Sequence, residues 1–230
     1  MEIKDRNYIF LILLHVFLGG LIYALPGISK IFSIAIIALG FLYVIRTRNR
    51  DNNVLLIAGY IVGSEVMLRM TGGNFFYEFS KYGVIFFMLV GFYYSGFSKN
   101  AIPMWIFLLL LIPGILIATE TLNLTTDIRK AILFNISGPI CLGISGLYCY
   151  NRKITFQQLS NILLAIGLPV ISTTVYLIFY TPDLKEILVS TGSNFTTSGG
   201  FGPNQVSTIL GLGMFVFVSR LLLNSNSKFS

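Results

Sequence analysis

Charge is what this chain has least of: Asp, Glu, Lys and Arg make up only 11% of its 230 residues, with one histidine and two cysteines. A soluble domain carries about 25% charged residues, so a water-facing globular fold is excluded. A lone histidine and nine acids argue against a zinc or carboxylate-metal centre, and no metal or other cofactor is expected. Cys141 and Cys149 share one apolar segment. Eight helical residues hold them about 12 Å apart, beyond the reach of a disulfide, so they read as buried, inert thiols. No nucleophile triad, P-loop or dinucleotide fingerprint occurs. No Asp or Glu stands anywhere from Ile187 to the chain end.

What the chain has instead is 55% hydrophobic residues and a mean hydropathy of +0.80. Apolar runs long enough to cross a bilayer fall at 8–25, 31–45, 54–70, 82–97, 102–118, 131–150, 159–180 and 206–223. The first is too long for a signal-peptide core and lacks a small-residue cleavage site. The sequence therefore predicts an all-α, polytopic membrane helical bundle of about eight spans. Residues 1–230 form one transmembrane domain, without repeats or a soluble module. The net charge of +7 is scattered between spans, which sets topology rather than binding nucleic acid. With the N-terminus cytoplasmic, ten basic residues lie inside and five outside, and Arg69 falls within a span. That two-to-one excess favours this orientation.

Three polar features stand out against the apolar background. Glu65 and Arg69 in "GSEVMLRMTGG" are four apart, on one helical face. Ionisable residues inside spans face a protein interior or a watery cavity; a structural pair, or an arginine reaching the interface, is the plainer alternative. The neighbouring Gly59 and Gly63 read as close helix packing, and His15 as a helix-contact residue. In "LTTDIRKAILFNISGP", Thr126 or Asp127 reads as an N-cap. Arg129 and Lys130 then sit in the first turn, where the helix dipole disfavours cations. That placement suits an anion shared with free backbone N–H groups, or ordinary interfacial anchoring. Asn135 and the Gly138-Pro139 step deeper in that span predict a kink.

The third feature is "SNFTTSGGFGPNQVSTILGLG". Pro203 suits the first turn of a helix, and Gly199, Gly200 and Gly202 let a ligand approach the backbone. Asn204 and Gln205 add amide donors at the positive end of the last span. A site rich in N–H donors and free of carboxylates suits phosphate; a flexible loop before a capped span is the alternative.

Taken together, "EVMLRMTGG" followed by "EFSKYG", "IRKAILFNISGP" and "GGFGPNQVSTILGLG" resemble the O-antigen ligase/polymerase family of bacterial inner-membrane proteins over residues 55–223. The resemblance implies part of a GT-C-like, metal-independent glycosyltransferase in cell-envelope polysaccharide biosynthesis. Its donor would be an undecaprenyl-pyrophosphate-linked glycan, and its acceptor lipid A-core, a growing glycan or a protein, at the periplasmic face. It would assign catalytic charge neutralisation to Arg69 and Arg129, and substrate binding to Glu65, Lys130, Gly200, Gly202, Asn204 and Gln205. Thr196, Thr197 and Ser198 stand where the family carries an arginine, with Lys185 the nearest base upstream. The family's large periplasmic loop, bearing a catalytic histidine, is not in these 230 residues. The chain thus reads as the N-terminal portion of a longer protein. A transporter or flippase for a lipid-linked or anionic solute, and a non-catalytic membrane partner, are the rival readings.

Overall fold

The computed structural model describes residues 5–121, 128–181 and 195–224. They form eight long helices: α1 (Asp5–Ala24), α2 (Ile28–Thr47), α3 (Asn53–Met70), α4 (Phe79–Ser95), α5 (Ile102–Thr121), α6 (Ile128–Cys149), α7 (Phe156–Tyr180) and α8 (Pro203–Asn224). A single 3-10 turn, Thr196–Ser198, precedes α8. Each helix falls within about three residues of an expected span. Seven are long and apolar enough to cross a membrane. The eighth, α4, has 17 residues, at the lower end of what spans hydrocarbon. Its Gly83 lies against Ile61 and its Gly91 against Val54, so it runs antiparallel along the length of α3. The chain is a multi-pass helical bundle.

α3 is the hub, packed by α7, α4, α2 and, more lightly, α8. α1 lies on α7, α6 lies on α4, and α5 packs mainly on α6. Among the described residues of its 18-residue apolar window, α5 buries none, whereas α3 buries 56%. The seam between α3 and α7 depends on small residues. A Cβ on Gly63 would drive into the main-chain carbonyl of Ile166, and one on Gly59 would meet Ile166 Cγ1 at 3.0 Å. Without a hydrophobic drive between helices in lipid, such backbone proximity supplies the packing energy.

The helix ends where the N-terminus lies are fastened by a polar network. Asn49 is 3% exposed and sits at φ 53°, a left-handed conformation that Asn tolerates better than most residues. Its Nδ2 donates to Ser95 Oγ and to the Tyr148 hydroxyl, both at 2.8 Å, and its Oδ1 accepts from Val54 N at 3.0 Å. Arg152 stacks on Tyr148 with its guanidinium carbon 3.7 Å from the ring centroid, and donates to Asn52 Oδ1 and Gly96 O. One turn thereby holds α2, α3, α4 and α6. Asn49→Ala is expected to lower stability by about 2–3 kcal/mol, because buried partners lose their bonds. Asn49→Gly, which keeps the backbone conformation, isolates the hydrogen bonds in a thermal melt.

α6 runs as one helix through Pro139, the step at which the sequence predicts a kink, and the Asn135 amide donates to Ala131 O at 2.9 Å. Cys149 is exposed on the bundle surface rather than buried, and both cysteines are free thiols. His15 does serve as a helix contact. Nδ1 must donate to the Leu11 carbonyl, 2.8 Å away, so Nε2 accepts from the Tyr60 hydroxyl at 2.9 Å. The expected caps Thr126 and Asp127, and Lys185, lie outside the described residues.

Candidate functional site

At the opposite end of the bundle, α3 closes its last turn around Glu65 and Arg69. The pair is an ion pair, Arg69 Nη2 to Glu65 Oε1, at 2.7 Å. Its side chains are 12% and 29% exposed, the arginine being the more enclosed. The chain leaves α3 through Thr71, Gly72 and Gly73, whose amides return to Met67, Arg69 and Leu68. This tight reversal lays Tyr77 against the guanidinium, 4.2 Å from ring centroid to Cζ. Arg69 Nε remains buried without a hydrogen-bond partner among the described residues. A guanidinium has five donors, so this one has capacity left for an oxygen-rich ligand.

The approach to α8 supplies the facing wall. Gly199 and Gly200 have φ of 69° and 70°, which turns the chain sharply after the 3-10 turn. Gly199 is set against Met70 and Leu177, and Gly200 against the Tyr180 hydroxyl. α8 then starts at Pro203, in agreement with the sequence.

Between these elements lies a cavity of about 390 Å³. Arg69, Asn204 and Gln205 line its outer end, Glu65, Val66, Thr208 and Ile209 its middle, and Val62 and Leu212 its apolar floor, with Phe201 also in the wall. Val62 and Arg69 are two helical turns apart, about 10 Å. The pocket is thus amphipathic along the bundle axis, with charge near the end and hydrocarbon deeper in.

The structure brings together Glu65, Arg69, Asn204 and Gln205 from the predicted set, and not the others. Gly200 and Gly202 do not line the cavity. Their role is to shape the turn, and the Gln205 side chain folds back over Gly202 where a Cβ would collide with it. Lys130 is exposed at the start of α6, a helix that packs on α4 and α5, and it is absent from the cavity wall. Arg129 lies in the same turn, with its side chain outside the described set.

The expected row of free peptide donors is also shorter than foreseen. The amides of Gly200, Phe201, Gln205 and Val206 are spent on Phe195, Ser198 and Gly202 carbonyls within the turn. Only those of Gly202 and Asn204 carry no intramolecular partner among the described residues from Gly200 to Val206. A turn built from left-handed glycines consumes its own N–H groups.

Phe201, Thr208 and Tyr77 escaped the sequence reading. Thr208 lies one turn after Asn204, and its Oγ1 donates to the Asn204 carbonyl at 2.7 Å. That i, i+4 polar stripe on α8 was the available signal. Tyr77 carried none, because its contact depends on the reversal after α3. No family model, curated protein or solved structure matches this chain.

Proposed function

We propose that the chain acts as a membrane glycosyltransferase of the O-antigen ligase/polymerase kind. In this reading the α3–α8 cavity receives the pyrophosphate head of an undecaprenyl-linked glycan at the periplasmic face of a bacterial inner membrane. The observation that carries it is the amphipathic cavity: a guanidinium with unspent donors and two carboxamides stand above an apolar floor. A lipid-linked pyrophosphate needs both ends of that gradient. The excess of basic residues at the other end of the bundle supports the outward orientation.

The chemistry follows from the leaving group. An acceptor hydroxyl on lipid A-core, a glycan or a protein attacks the anomeric carbon. The bond from that carbon to the pyrophosphate oxygen breaks, and the hydroxyl proton passes to a base. Negative charge accumulates on the departing pyrophosphate. Arg69 is positioned to stabilise it, with Asn204 and Gln205 as neutral donors. Glu65 holds the guanidinium in one orientation, which reduces reorganisation during the reaction.

Reconstitution in liposomes with an undecaprenyl-pyrophosphate glycan tests this reading. Asn204→Leu is expected to lower kcat/KM about tenfold while leaving thermal stability unchanged, since the residue is exposed and only its amide is lost. Unaltered transfer in that variant, or solute flux in place of transfer, would count against the assignment.

A further inference from the structure

A pyrophosphate carries more negative charge than the Glu65–Arg69 pair can balance, because the carboxylate already offsets the guanidinium. The pair presents a directed dipole with little net charge. A second cation is therefore required if the site is to prefer a diphosphate, and one shares the Tyr77 ring with Arg69, beside the cavity rather than in its lining. Lys81 Nζ is 5.9 Å from the Tyr77 ring centroid, on the ring whose centroid is 4.2 Å from the Arg69 guanidinium carbon. The two distances together cap the separation of the charges at about 10 Å. Lys81 has no carboxylate within salt-bridge distance among the described residues, Glu78 included. It donates to Ser137 Oγ at 3.0 Å, where α6 packs on α4. Ser137 is 2% exposed, and the Tyr77 ring also lies against Phe134, with centroids 5.0 Å apart.

This arrangement has a physical consequence. Two like charges this close repel, and a π face beside both attracts each of them. Tyr77 thus tolerates the pair without neutralising it, and two further ammonium protons of Lys81 remain available after the bond to Ser137. An anion bound at Arg69 with a second charged group extending along Tyr77 would approach Lys81; an anion with one such group would not.

We propose that Lys81, held by Ser137 and sharing the Tyr77 ring with Arg69, is a second cation at the margin of this site, and that it sets a preference for diphosphate over monophosphate. The inference rests on the anionic-head reading given above. The test measures binding of farnesyl diphosphate and farnesyl monophosphate to the purified chain in nanodiscs. Wild type is expected to bind the diphosphate about tenfold more tightly. Lys81→Met should reduce that ratio to about two or less, chiefly by weakening the diphosphate, and Lys81→Arg should retain it. A ratio unchanged in Lys81→Met, with wild type binding both probes, overturns the role of Lys81 and leaves the head-group reading standing. Absence of binding of either probe to wild type overturns both. Equal losses for the two probes in Lys81→Met and Lys81→Arg alike would mark a structural lysine and also refute the proposal.

Discussion

Arg69→Met is expected to reduce glycan transfer by at least about a hundredfold, the scale seen when one preorganised donor to a developing anion is lost. The same substitution strands Glu65, whose side chain is 29% exposed, and so should lower stability by about 1–3 kcal/mol. The two losses separate in the double variant. Glu65→Gln with Arg69→Met removes the stranded carboxylate and should recover most of the melting temperature. It should recover none of the activity. Glu65→Gln alone leaves the cation in place but frees its orientation, so a fall in kcat larger than any rise in KM is expected. Recovery of transfer in the double variant would reduce the ion pair to a structural brace.

The largest effect on folding is expected at the seam of α3 and α7. At Gly63 a methyl group would meet a main-chain carbonyl, that of Ile166, and no rotamer change relieves such a clash. Overfilled interiors lose about 1–3 kcal/mol, and the rigid obstacle puts Gly63→Ala at the upper end of that range. Gly63→Leu should force the helices apart and fail to yield a folded protein. Glu65 lies two residues further along α3, and α8 packs on both α7 and α3. Separation at the seam therefore opens the cavity as well. Gly63→Ala that still folds is expected to lose ligand affinity in proportion to its loss of melting temperature.

How much of this was legible in the sequence depends on the range of the interaction. The helices were legible because length and hydropathy are local; Pro26-Gly27 and Asn151 to Lys153 stand between helices, while Pro113, Pro139 and Pro169 lie inside them without ending them. Pro203 and the Gly59–Gly63 pair were legible for the same reason: a ring without an N–H, or a missing side chain, acts where it stands. Half of the site was legible through i, i+4 spacing, which placed Glu65 and Arg69 on one face. Tyr77 was not, because its position depends on how residues 71–78 fold back. Lys130 misled because charge at a helix start says nothing about which helix stands beside it. The glycine turn misled differently, since its residues were correctly placed at a bend but their amides were already committed to it.

α5 packs chiefly on α6, and none of the described positions in its apolar window is enclosed by protein. The residues of α5 that face away from α6 are therefore selected by solvent rather than by neighbours, and the solvent is acyl chain. The order of Leu and Ile along its outer side then conveys almost no instruction, while their total oiliness conveys nearly all of it. Shuffling those outer letters should leave insertion and melting alike untouched, whereas one arginine at mid-depth should cost about 2.5–3.5 kcal/mol and be felt at once.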